Sequence, residues 1–202
     1  FVYLMSSSLD EVFVIAGALV AGLALPLSAL QIIWINILTG TLPALAFAYE
    51  HNYSTKKHEK QIFSFKVKFL AFGIGALSSI FLFVLYYLLL LFIPDQMLAR
   101  SIFFACFATY VLSMSYSFRD IDSLMYAYNP FSNMRLNIAN SIGFGLLAIT
   151  LYHPLFHIIF DTVSIPIRFL WIIIVWNIGN VMVVEFAKFI LLKIKKPKKM
   201  IT

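Results

Sequence analysis

PLSALQIIWINILTGTLPALAFAYE, residues 26–50, decides how this chain is read. The stretch is apolar and long enough to cross a bilayer, which takes roughly 20 helical residues. Yet Asn36, Thr39, Gly40, Thr41 and Pro43 interrupt its middle. Polar groups at membrane depth are costly unless they are paired or line a site. A membrane segment that carries its polar residues at the centre is a candidate ion-binding helix.

The rest of the composition agrees. Of 202 residues, 62% are hydrophobic and 12% charged, with a mean hydropathy of +0.92. That leaves too few polar residues to cover the surface of a soluble domain, so the bilayer is the expected solvent. The net charge of +6 does not indicate nucleic acid. The lysines cluster beside apolar spans, as cytoplasmic anchors do, and are not interleaved with aromatics on a soluble face. The single Cys106 forms no intrachain disulfide. Phe1 opens directly into apolar sequence with no basic n-region, so it does not start a signal peptide, and the chain reads as a piece of a longer protein. There is no phosphate-binding loop, GxGxxG or nucleophile elbow, so nothing here binds ATP or forms a phosphoenzyme by itself.

Six apolar spans can be drawn, at about 1–24, 28–48, 67–93, 101–118, 136–160 and 166–192. The expected fold is all-α: one polytopic membrane domain over residues 1–202, with six transmembrane helices in a bundle. Pro94 and Pro166 fall at span ends, whereas Pro43 and Pro154 lie inside spans and predict a kink or an end. If the first span runs outward, the inner regions hold Lys56, Lys57, Lys60, Lys66, Lys68, Arg119, Arg135 and the tail lysines 188, 193, 195, 196, 198 and 199. The outer loops hold only Arg100 and Arg168, which completes the 15 basic residues. This bias places both the start of the first span and the C-terminus in the cytoplasm, with the plasma membrane as the expected location. No internal repeat indicates an inverted-repeat transporter. The tail KIKKPKK also suits anionic lipid.

Two spans carry the candidate chemistry. In SSSLDEV, Ser8 and Glu11 share a helix face at i, i+3, and Asp10 is turned about 100° away. Glu11 falls about 15 Å into the membrane, where a carboxylate needs a partner, a proton or a cation. In the second span Asn36, Thr39 and Gly40 share a face. Pro43 has no N–H for the carbonyl of Thr39, which predicts local unwinding and an oxygen free to face a cation. Carboxylate, amide, hydroxyl and freed carbonyl are all ligands that hard cations accept. Other polar residues read as structural. Asn177 and Asn180 are expected to bond to neighbouring helices, and Glu185 with Lys188 to form a surface i, i+3 pair. His153 and His157 have zinc-like spacing, but Pro154 lies between them and no third ligand completes a motif, so they read as interfacial. Trp34, Trp171 and Trp176 suit membrane packing or interface anchoring.

These residues resemble a known family. FVYLMSSSLDEV looks like the fifth membrane helix of calcium-pump-like P-type cation ATPases, typically YLxSSNxGEV. PLSALQIIWINILTGTLPALAFAYE looks like the sixth, typically PLxxxQxLWxNLxTDGLPALALGxE. SFRDIDSL and NPFSNMRLNIANSI resemble the loop between the eighth and ninth helices, and the tail resembles the end of the tenth. The resemblance covers essentially the whole chain, as helices five to ten.

The resemblance implies an ATP-driven ion translocase. Its parent uses ATP and Mg²⁺, phosphorylates the aspartate of DKTGT, and moves a metal cation or proton by alternating access. The partners implied are the lipid bilayer and the N-terminal helices and cytoplasmic domains of the same pump, with no nucleic acid. Glu11, Asn36 and Thr39 match family cation ligands. Ser8 stands where Asn is usual, Gly40 where the Asp of TDG is usual, and Tyr110 aligns where calcium pumps can place Glu. Gly40 and Pro43 are expected to shape the site backbone, and Asp10 and Tyr110 are further candidates. With one carboxylate kept of three, a two-calcium site is disfavoured, while one divalent ion, a monovalent ion or a proton remains open. The alternatives are a non-enzymatic six-helix channel, carrier or subunit, and a degenerate pump without calcium transport.

Overall fold

The computed structural model describes residues 2–49, 65–120 and 123–194. Lys56, Lys57, Lys60 and the lysines at 195–199 lie outside the described residues. The described residues are helical with no strand, and six stretches are long and apolar enough to cross a membrane.

α1 (Val2–Val20) is the first. The second is composite: α2 (Ala29–Trp34), a π-helical segment (Ile35–Thr41) and α3 (Leu42–Ala48). Then come α4 (Phe65–Phe92), α5 (Gln96–Phe118) and α6 (Met134–Tyr152). A short α7 (Pro154–Phe160) leads to α8 (Leu170–Ile194).

Local chemistry sets the ends. Ser28 and Gln31 form a reciprocal capping box at the start of α2. Asp95 accepts from the amides of Met97 and Leu98, so α5 starts five residues before the apolar run expected from 101. Pro154 ends α6 and takes the first turn of α7, where its missing N–H costs nothing. The expected 136–160 span is therefore two helices. Asp161, left-handed at φ 54°, closes α7 and pairs with Arg100 at 3.2 Å.

α5 is the axis of the bundle. Nearly every side chain from Ala99 to Met114 is buried, all round the helix, because the other spans surround it. Aromatic contacts tie it outward: Trp34 meets Phe104 at 5.5 Å between ring centres, and Tyr86 meets Phe103 at 5.2 Å. Trp34 is thus a packing residue, while Trp171 is exposed. α1 lies along α4, and Gly75 lets them approach. A Cβ there would stand 3.2 Å from Leu9 Cβ.

Polar side chains stitch the helices at depth. Tyr3 donates to the carbonyl of Val111 at 3.1 Å, and Asn140 to Ser115 Oγ at 2.9 Å. Asn177 reaches Ser113 Oγ at 2.9 Å, joining α8 to α5 as expected. Asn180 departs from its expected role, since its amide turns back to the carbonyl of Trp176 on its own helix. His153 caps α7 and His157 Nε2 lies 2.9 Å from the carbonyl of Leu151, so they do not converge as a metal pair.

The expected surface pair Glu185–Lys188 is instead a buried lock. Lys188 is 1% exposed and donates to the carbonyl of Ser117 at 2.8 Å and to Glu185 at 3.1 Å. Glu185 also accepts from Ser117 Oγ and from the amide of Met125 at 2.7 Å. The reason is the end of α5, whose last carbonyls lack helical donors and draw the ammonium inward. Nearby, Tyr128 donates to the carbonyl of Tyr116 at 2.7 Å. Burial, with Glu185 and Asp120 beside it, pushes its phenol up to about 12, so it remains a donor across the neutral range. Replacing Lys188 by Met leaves the half-buried Glu185 without its cation and the Ser117 carbonyl without its donor. We expect a loss of about 3 kcal/mol for Lys188→Met, read as a lower unfolding midpoint in detergent. Much of that loss is recovered in Lys188→Met/Glu185→Gln.

Candidate cation site

Helix α1 crosses the bundle with a polar middle, and its successive side chains face different neighbours about 100° apart. Glu11 faces the interrupted second span and is 7% exposed. The amide nitrogen of Asn36 donates to both of its oxygens, at 2.8 Å to Oε1 and 2.7 Å to Oε2, and lies 3.0 Å from the carbonyl of Ile32. The two residues expected from sequence to share a site are thus in direct contact across two helices.

The second span widens where unwinding was expected. Ile35–Thr41 forms π-turns and the chain returns to α-helix with Pro43 in the first turn of α3. Pro43 withholds the N–H that an α-helix would direct to the carbonyl of Thr39, and a π-turn absorbs the misfit without opening the helix. Thr41 Oγ1 donates to the carbonyl of Asn36 at 2.9 Å, further loading this turn with local bonds. The side chain of Thr39 lies outside what is described. Gly40 is buried, but a Cβ there would sit 3.7 Å from the carbonyl oxygen of Ile35 and from Leu4 Cδ2, ordinary contacts. Steric space therefore does not demand glycine at this position.

Asp10 turns the other way and is fully buried. Its Oδ1 lies 2.6 Å from Ser78 Oγ and 2.9 Å from Ser79 Oγ, both on α4, hydroxyls that also reach the carbonyls of Ile74 at 2.8 Å and Gly75 at 2.5 Å, and its Oδ2 accepts from Tyr110 of α5 at 3.1 Å. Asp10 and Tyr110 are thus brought together, on a side of α1 different from the Glu11–Asn36 contact. Ser8 is exposed on α1. Sequence reading missed Ser78 and Ser79. The adjacent pair in an otherwise apolar span was the available signal. Among the described residues no three His, Cys, Asp or Glu side chains converge as a metal cluster.

A carboxylate on α1 thus meets an amide on a π-widened membrane helix. The family model described as "Cation transporting ATPase, C-terminus" matches residues 24–190. The chain belongs to this cation-transporting ATPase C-terminal family. The chain is also 29% identical over 176 residues to a calcium-transporting ATPase of Bacillus subtilis (strain 168), a match covering 81% of the chain and 19% of that protein. The chain therefore spans about a fifth of its relative's length, and the family assignment rests on the membrane region. The matched range takes in Asn36, Gly40 and Pro43, while Glu11 and Asp10 precede it.

The room at Gly40 yields an expected outcome. Gly40→Asp in the full-length protein meets no steric bar but buries a further carboxylate at membrane depth, so its unfolding midpoint in the absence of divalent ions should fall below that of wild type. Adding Ca²⁺ should recover part of that loss, because a bound cation offsets the buried charge. Thermal unfolding in detergent with and without Ca²⁺ checks both.

Proposed function

We propose that this chain is the cation-translocating membrane part of an ATP-driven P-type pump, and that Glu11 and Asn36 form the core of its ion site. The observation that carries this reading is the double contact from Asn36 Nδ2 to the two oxygens of Glu11. A buried carboxylate and a carboxamide, held by different helices, are ligand types that hard cations take. Turning the Asn36 amide about its last torsion exchanges nitrogen for oxygen, and a donor to Glu11 becomes a second ligand beside it. Thr39, three residues on from Asn36, is the next oxygen-bearing residue of this span in sequence, and Pro43 has no N–H to offer its carbonyl. Ser8 lies on the same face of α1 as Glu11 and is the next nearest oxygen in sequence on that face. The π-widened turn gives this segment a backbone that can move without breaking the helix.

In this reading ATP, Mg²⁺ and the phosphorylated aspartate belong to cytoplasmic domains of the same protein. The remaining ligands come from its other helices. Ca²⁺ takes 6–8 oxygens and its affinity rises with ligand charge. One carboxylate in direct contact with Asn36, with glycine at 40, favours a single cation at this position over a calcium pair. The start of α1 and the C-terminus face the cytoplasm, on the distribution of basic residues.

The test is Glu11→Gln in the full-length protein. The change keeps shape and removes the charge. We expect at least a tenfold rise in the cation concentration that half-activates ATP hydrolysis, more than the loss of one ordinary hydrogen bond to a neutral group. Unaltered cation activation sinks the assignment.

A further inference from the structure

Asp10 is a membrane-depth carboxylate whose oxygens face hydroxyls from two helices, and it sits next to Glu11 in sequence. We propose that Asp10 is a positioning residue for the cation site: it fixes the rotation of α1 so that Glu11 meets Asn36. This rests on the reading of Glu11 and Asn36 as ligands.

A carboxylate has about four lone-pair positions. Three hydroxyls stand against them, those of Ser78, Ser79 and Tyr110 at 2.6, 2.9 and 3.1 Å, with the single proton of each serine divided between Asp10 and a backbone carbonyl of α4. Asp10 can reach a cation only by giving up bonds to α4 and α5, and its fully buried side chain has no solvent to replace them. The bonds also have a directional consequence. Adjacent residues of a helix point about 100° apart. When Asp10 is held against α4 and α5, the next side chain can face only the second span. Tyr3, two turns earlier, is tied to the carbonyl of Val111 at 3.1 Å and holds α1 to α5 at a second height. Gly75 brings α4 close enough for its serines to reach. Rotation of α1 by half the spacing between Asp10 and Glu11 would break all three Asp10 bonds and withdraw Glu11 from Asn36.

A positioning residue and a ligand respond differently to conservative change. Asparagine keeps an oxygen to accept from Ser78 and Ser79 but carries no charge. Alanine removes the anchor. In the full-length protein, cation-activated ATP hydrolysis is measured against Ca²⁺ and Na⁺ for Asp10→Ala, Asp10→Asn and the double variant Ser78→Ala/Ser79→Ala. We expect Asp10→Ala to raise the half-activating cation concentration at least tenfold, the size seen when partners that orient metal ligands are lost. The maximal rate at saturating cation stays within about twofold. Asp10→Asn restores half-activation to within about threefold of wild type, and the double serine variant falls between the two. Equal losses in Asp10→Asn and Asp10→Ala would make Asp10 a charged ligand and overturn the proposal. Loss of maximal rate with unchanged half-activation would make it a packing residue only and also overturn it. If Asp10→Ala does not fold, Tyr110→Phe and the serine variant carry the same test, since each removes donors and leaves the carboxylate. Glu11→Gln separates the two claims. If it leaves half-activation unmoved, the site reading falls. If it moves half-activation while the Asp10 anchor variants do not, only the positioning role falls.

Discussion

A bilayer offers no water to a polar group at its centre, so the chain must answer each of its own donors and acceptors. This constraint organises the bundle. α5 is central because it supplies many of the answers: Val111 to Tyr3, Tyr110 to Asp10, Ser113 to Asn177, Ser115 to Asn140 and Ser117 to Lys188. Hydrophobic association contributes little between helices that lipid could equally well surround. Helix orientation then depends on these few polar contacts and on close approach at small residues such as Gly75.

The same constraint separates two adjacent carboxylates into two roles. Asp10 and Glu11 are neighbours in sequence, yet each is answered by a different part of the bundle. Asp10 is met by three hydroxyls from helices that pack closely on α1, an arrangement suited to holding still. Glu11 is met by one amide on a π-widened segment, an arrangement that a competing cation can replace. The difference lies in the number and kind of partners, and on the proposed reading it makes one helix both an anchor and a site.

Much of the architecture could be read from residues alone. The spans follow from hydropathy, and the membrane-depth positions of Glu11 and Asn36 marked both as residues in need of a partner. The local misfit near Pro43 was also legible, because a missing N–H must be absorbed somewhere. Its form was not. Whether a helix opens or widens depends on neighbours such as Leu4 beside Gly40, which no local pattern encodes. Lys188 was misread for a similar reason. An i, i+3 pair with glutamate looks like a solvated face until the end of α5 is placed beside it. Ser78 and Ser79 stood out only as an adjacent pair in an apolar helix, and two small hydroxyls there gain meaning only when Asp10 arrives from another span.

The central claim is that Glu11 and Asn36 act as one unit on the cation. A double-mutant cycle tests it directly. Cation half-activation of ATP hydrolysis is measured for wild-type protein, Glu11→Gln, Asn36→Ala and the double variant, all in the full-length protein. Residues sharing one ligand give strongly non-additive effects. The account predicts that the double variant is scarcely worse than the more damaged single variant. Independent effects that multiply would contradict it.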